Sequence, residues 1–233
     1  LSLNGSGIAT FSDRARDAVR GGSAGDNGVD QVRRQGYING QFYDPNALAQ
    51  ATEEDLQRSA DLVRVGLAGS LRGFMMKTWR DEVLPLERID YAGQPAGYVS
   101  QPGEVVNYVE NHDNQTLFDL NTFKLPAGTS REDRARVQIL GAAINAFSQG
   151  IAYFHAGIES LRSKSMDRNS YDSGDWFNRL DWSFQDNFFG TGLPPRRDNG
   201  DSWPWMKPLL ANPAIKPTAT EIGWTRDAFF DLL

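Results

Sequence analysis

The sequence contains no cysteine, which removes disulfides, thiol nucleophiles and thiolate metal sites from consideration. It has only two histidines, His112 and His155, so there is little room for a histidine-rich metal centre. A Ser-His-Asp triad would have to use one of them, and neither lies near a G-x-S-x-G elbow. Positive charge is short as well. The 24 Lys and Arg stand against 30 Asp and Glu, a net charge of −6, and the cations form no block. That balance argues against nucleic acid as the partner. No apolar run approaches the roughly 18 to 20 residues needed to cross a bilayer, so no membrane segment is expected. The first residues carry neither the charged start nor the apolar core of a signal peptide, and Leu1 is not an initiating Met. The chain reads as a piece cut from something longer. The lack of cysteine leaves the compartment open.

What remains is 233 residues of ordinary globular composition, long enough for one domain or two small ones. The unusual component is aromatic: six Trp, 13 Phe and 7 Tyr, most of them in the second half of the chain. The centre of organisation is Val105-Val106-Asn107-Tyr108-Val109-Glu110-Asn111-His112-Asp113-Asn114, a β-prone apolar run that stops at polar and ionisable side chains. In parallel α/β architectures a buried strand delivers chemistry to a rim in this way.

Before it, residues 7–11 form a short β-prone run, and Ser12 followed by charged residues and alanines predicts an N-capped helical turn. Residues 21–40, rich in Gly, Asp and Asn, read as a long surface loop. Thr52-Glu53-Glu54-Asp55 opens a helix whose apolar positions Leu56, Ala60, Val63, Leu67, Leu71 and Phe74 keep helical spacing. Residues 77–103 are punctuated by Gly and Pro and read as irregular. After the central strand a polar connection leads to a helix entered at Ser130, with Val137, Leu140, Ile144 and Phe147 as its apolar face and Gly150 as its C-cap. A second apolar run over 151–157 ends at Glu159, Arg162 and Lys164. Strand, helix and strand make a right-handed βαβ unit with its site at the carboxyl ends. Residues 163–217 form a long irregular excursion, and 226–233 an amphipathic helix.

Two chemical readings follow from these residues. His112-Asp113 at a strand end suits a general base, a transition-state stabiliser or a substrate-binding pair, or a structural Asp that caps the next turn. Glu159, at the tip of the neighbouring strand, could complete a two-carboxylate glycosidase site with Asp113, or it could pair with Arg162 or Lys164. His155, inside an apolar run, reads as a core histidine. The aromatic and acidic stretch 171–201 suits sugar recognition, since rings stack on pyranose faces while Asp, Asn and Arg take hydroxyls. The same rings could instead fill a satellite core.

The longer strings carry a resemblance. Tyr108-Val109-Glu110-Asn111-His112-Asp113-Asn114-Gln115-Thr116 resembles the last catalytic region of the α-amylase family of glycoside hydrolases. Phe11-Ser12-Asp13-Arg14-Ala15-Arg16-Asp17-Ala18, Leu161-Arg162-Ser163-Lys164-Ser165, Ser170-Tyr171-Asp172-Ser173-Gly174-Asp175-Trp176-Phe177-Asn178-Arg179 and Gly192-Leu193-Pro194-Pro195 are similar to pullulanases and plant limit dextrinases. The similarity extends over essentially the whole chain.

The resemblance implies an α/β fold: part of a (β/α)8 TIM barrel, roughly strands six to eight with long irregular active-site loops. Residues 1–233 would be the C-terminal portion of one catalytic barrel domain. It implies retaining hydrolysis of α-1,6-glucosidic branches, with an α-glucan as substrate and no organic cofactor; calcium occurs in the family, but no site is assignable here. Asp113 matches the catalytic carboxylate that stabilises the transition state. His112, Arg168 and Asp201 match substrate-binding positions. No stretch matches the family's nucleophile or its general acid, so Glu159 is not that acid, and the missing barrel half is expected to be needed for activity. The expected compartment is the cell exterior for a bacterial source and the plastid for a plant-like one. Alternatives are a non-catalytic carbohydrate-binding piece and an isoamylase or α-1,4-amylase specificity.

Overall fold

Three short parallel strands give the molecule its frame. The computed structural model describes residues 3–233; Leu1 and Ser2, on which the reading of a cut start rests, lie outside the described residues. β1 (Thr10–Phe11) runs directly into α1 (Asp13–Arg20). Ser12 has the extended backbone of an N-cap, although its side chain makes no capping bond.

Residues 21–40 are not the surface loop that their composition suggests. They fold inward around α2 (Val29–Arg33), and their polar side chains are satisfied inside. Gln35 donates to the carbonyls of Asn39, Asp44 and Lys124, and Asn39 donates to the Arg20 carbonyl and the Asn121 side chain. Glycine permits the fold-back: a β-carbon on Gly36 would stand 2.1 Å from the Gly21 nitrogen.

α3 (Glu53–Leu67) has the expected acidic first turn and a full capping box between Thr52 and Asp55. It stops at Leu67 rather than running on to Phe74, because Gly69 and Ser70 adopt left-handed φ values of 67° and 51°. Much of the stretch expected to be irregular forms two antiparallel hairpins, β2 (Met75–Lys77) with β3 (Val83–Pro85) and β4 (Asp90–Tyr91) with β5 (Gln94–Pro95). Met76, Leu86, Ile89 and Ala96 pack them against Val65 of α3.

β6 (Val105–Asn107) is the central strand, flanked in parallel by β1 and by β7 (Ile151–Ala152). Between β6 and β7 lie α4 (Leu117–Lys124) and α5 (Arg131–Ala146), completing the expected βαβ unit. α4 replaces the expected polar connection, and all eight of its residues are buried. α5 begins at its expected Ser130 cap but ends at Phe147 instead of Gly150. Its buried face is Arg134, Ala135, Gln138, Gly141, Ala142 and Asn145, whereas Leu140 and Phe147 of the expected face are 44% and 67% exposed. Gln138 and Asn145 go inside because each donates to a main-chain carbonyl, those of Ile158 and Tyr153.

The excursion over 163–217 is likewise more ordered than expected. It carries α6 (Asp175–Asn178), α7 (Arg196–Asn199) and α8 (Trp203–Leu210). α9 (Ala219–Leu232) starts at a Thr218–Glu221 capping box rather than at Arg226. Val19, Val63, Val109, Leu117, Ile158 and Phe229 form one core, joining helices to the segments that follow β6 and β7. Phe118, Phe123, Leu161, Met166, Met206 and Ile222 form a second beneath the excursion. Phe11, Val106 and Ile151 share one register row across the sheet, and Phe11 and Ile151 are 50% and 46% exposed. Among the described residues, no helix is long and apolar enough to cross a membrane.

Candidate active site

Beyond Asn107 the chain leaves β6 and turns over a buried carboxylate. Glu110 accepts the Leu117 backbone N–H, and its other oxygen lies 3.0 Å from Nδ1 of His155. The far ring nitrogen of His155 meets Arg162 at 3.1 Å. His155 is therefore a buried histidine, as expected, and it supports the loop from beneath. Glu110 closes off the ends of that loop, and Asn111 to Asn114 project outward between them.

Within the loop, the Asp113 N–H donates to the Asn111 side chain at 2.8 Å, and Asn114 takes a left-handed φ of 62°. Nδ1 of His112 stands 3.3 Å from Asp113, with the two side chains 78% and 72% exposed. The pair faces solvent.

Lys164 holds the loop from behind. Its side chain is 1% exposed, and its ammonium donates to the carbonyls of His112 at 3.0 Å and Asn114 at 2.5 Å. Burial lowers its pKa, with Asp119 as the largest opposing charge. Asp119 in turn accepts the Lys164 backbone N–H at 2.7 Å and the Ser163 hydroxyl at 2.5 Å. Burial pushes Asp119 up to about 6. Glu159 forms neither of the ion pairs expected of it: its carboxylate accepts the Gly157 N–H at 3.0 Å, while Arg162 and Lys164 serve other partners.

Asp113 opens on a polar groove of about 480 Å³, lined also by Asn114, Arg168, Asn169, Arg197 and Asp198. Arg168 lines the same groove as Asp113, and its guanidinium donates to the carbonyls of Ala24 and Asp26, fastening the 24–26 loop to the rim. Asp201 is not among the lining residues. It accepts from Asn27 at 2.8 Å and ties the same loop to the helical excursion. Arg197 is chelated by Asp172 at 2.9 Å and also pairs with Asp198.

The string around 170–179 is organised by another buried carboxylate. Asp167 accepts from Asn169, Ser173 and Asn199. Asn178 donates to the Ser170 carbonyl, and Arg162 reaches the Asn178 carbonyl. Tyr171, Trp176 and Trp182 remain 78%, 65% and 63% exposed, while Phe189 and Met206 fill the core beneath. The satellite-core reading therefore holds for the buried rings, while the three exposed ones face solvent.

Sequence reasoning missed Lys164, Asp119 and Asp167. The only hint was that two of them sit in or beside runs of small polar residues unlike an apolar core. Among the described residues, no three metal-ligating side chains gather.

Residues 184–233 match the family described as alpha-1,6-glucosidases, pullulanase-type, C-terminal. The chain is 43% identical over 238 aligned residues to chloroplastic pullulanase 1 of Arabidopsis thaliana, covering all of this chain and 24% of that one. It is 44% identical to the pullulanase of Klebsiella pneumoniae, covering 91% of this chain and 20% of that one. A crystal structure of the Klebsiella pneumoniae enzyme complexed with maltotriose superimposes with a TM-score of 0.95 at 41% identity, over 99% of this chain and 22% of the other. The chain thus spans about a quarter of the length of these relatives. Along its whole length, in sequence and in fold, the chain matches one section of pullulanase-type proteins.

Proposed function

We propose that the chain supplies one section, about strands six to eight, of the (β/α)8 catalytic barrel of an α-1,6-glucan debranching glycosidase. Three adjacent parallel strands support this reading, as does the register row of Phe11, Val106 and Ile151, whose two outer members are exposed. In this assignment residues 1–233 are one part of a single catalytic domain, and the rest of the barrel covers that row.

Asp113 carries the chemistry of this section. Its carboxylate stabilises the positive charge that develops on the sugar ring as the glycosidic bond breaks. His112 binds the same sugar unit beside it. Arg168 and Asp201 hold glucose hydroxyls along the rim, Arg168 within the groove and Asp201 farther out on the loop it shares with Asn27. The nucleophile and the general acid come from the remaining part of a pullulanase-length protein. The isolated chain is then inactive, since catalytic groups that act as a unit lose almost everything when separated.

The observation that carries the reading is the whole-length match to pullulanases, with Asp113 placed at the carboxyl end of the central strand and open to the polar groove. The test is hydrolysis by the full-length protein of pullulan against amylose. Release of maltotriose from pullulan supports debranching, and preference for amylose supports α-1,4 specificity. Binding of maltooligosaccharides without turnover of either polymer would make the chain part of a carbohydrate-binding protein.

A further inference from the structure

We propose that Lys164 is the positioning residue for Asp113: its ammonium, sealed beneath the loop, fixes the two carbonyls that flank Asp113 and so sets where the carboxylate points. The catalytic half of this inference rests on the function proposed above; the clamp itself rests on geometry alone. Lys164 spends two of its three N–H donors on main chain, at His112 and at Asn114, the residues on either side of Asp113. The His112 carbonyl belongs to the peptide that enters Asp113 and the Asn114 carbonyl to the peptide that leaves Asn114, so the loop is held at a point on either side of Asp113. One point would leave a pivot.

The clamp closes on a left-handed turn of the loop. A non-glycine residue at φ 62° is in the sparsely populated left-handed region, and Asn114 adopts it where its carbonyl meets the ammonium. Lys164 is itself fixed before it reaches the loop. Its N–H is held by Asp119, and Ser163 binds the other oxygen of the same carboxylate. On the far side, the Ser165 hydroxyl donates to the Gly192 carbonyl at 2.5 Å. Asp119 sits in the first turn of α4, whose N-cap Thr116 accepts the Asp119 N–H. The chain of contacts therefore runs from a buried helix through Asp119 and Lys164 to the Asp113 loop.

A buried ammonium is a costly way to hold a loop, because its desolvation must be offset by good geometry. An apolar side chain there would pack as well but leave two carbonyls without a donor and the loop without directional restraint. Catalysis needs that restraint, since misplacing a catalytic group by about 1 Å costs on the order of 100-fold in rate.

Lys164→Met in the full-length protein keeps the apolar stem and deletes the donors, and Lys164→Arg keeps donors. Amide hydrogen exchange across residues 111–116 should rise at least about tenfold in Lys164→Met while exchange at β6 stays unchanged. On pullulan, kcat should fall about 100-fold with KM within about threefold, and Lys164→Arg should recover about tenfold of the loss. Unchanged exchange at 111–116 in folded Lys164→Met overturns the clamp, as does equal loss in both variants with β6 exchange rising in step. Should Lys164→Met not fold, Ser163→Ala removes the 2.5 Å bond to Asp119 together with the acceptor of the Ser165 N–H and is read the same way, with a kcat loss of about tenfold expected; wild-type exchange and kcat in that variant overturn the proposal. A wild-type protein that does not cleave pullulan sinks the debranching reading and leaves the exchange result to decide the clamp.

Discussion

The loop over residues 110–116 and the hairpins over residues 75–95 are both irregular excursions from the parallel strands, yet they are held by different forces. The hairpins rest on apolar side chains, with Met76, Leu86, Ile89 and Ala96 against Val65 of α3. The loop rests on buried polar groups: Glu110 and His155 under its ends, and Lys164 behind its middle. Apolar packing is non-directional and tolerates small shifts, whereas a buried hydrogen bond has one good geometry and a high cost when broken. On the proposed function, the segment that aims a carboxylate is the one built from directional contacts.

The largest effect is expected at Asp113. In the full-length protein, Asp113→Asn should lower kcat on pullulan by about 1,000-fold or more, since removing one preorganised electrostatic contact costs 10²- to 10³-fold and this group acts within a unit. Its side chain is exposed and supports nothing else, so the melting temperature should not move. Near-normal turnover would remove Asp113 from the chemistry.

Leu86 tests the other region. It is fully buried, and Leu86→Ala should destabilise the hairpins by about 3 kcal/mol through the cavity it leaves. Amide exchange across 75–96 should rise accordingly while kcat stays within about twofold. A large fall in kcat would couple the hairpins to the active loop and erase the distinction drawn here.

The pH dependence of stability belongs to the polar region. Burial raises Asp119 to about 6 from its usual 3.8. Between those values the native state keeps a proton that the unfolded state has lost, so this group favours the fold at low pH and its contribution declines as pH rises to about 6. The shift corresponds to roughly 2–3 kcal/mol. In urea unfolding, the stability of the wild type minus that of Asp119→Asn should therefore fall as pH rises from about 4 to about 6. A difference that is flat or rising over that window contradicts the sign.

How far these forces could be read from the sequence follows the same division. Caps and charged first turns were legible at Thr52 and Ser130, because a capping side chain and its partner lie three residues apart in the chain. The strand ending at the Asp113 loop was legible as an apolar run that stops at polar residues. α4 was not, because Leu117–Lys124 is buried on every side and has no amphipathic period to detect. The inner face of α5 was misassigned because Gln138 and Asn145 are buried by long-range bonds to carbonyls, which no local pattern encodes. Lys164 escaped for the same reason. A lysine is ordinarily solvated, and its partners at His112 and Asn114 lie about fifty positions away.

The smallest effect separates two tryptophans that composition cannot tell apart. Trp203 is partly buried, packs on the second core and donates its indole N–H to the Pro194 carbonyl at 3.0 Å. Trp176 is 65% exposed and is braced from one side by Arg179, whose guanidinium lies 4.6 Å from its ring and 3.8 Å from Phe188. An exposed ring braced in this way keeps one orientation without joining the core, which suits a platform for a pyranose face. Trp176→Ala should change stability by no more than about 0.5 kcal/mol. Its mark should be a KM for pullulan raised about three- to tenfold at constant kcat, the loss of one ring contact of about 0.5–1.5 kcal/mol. Trp203→Ala should do the reverse, costing stability with KM nearly unchanged. If both variants lose stability and neither shifts KM, the exposed rings are structural and sugar contact must be sought inside the groove between Asp113 and Arg168.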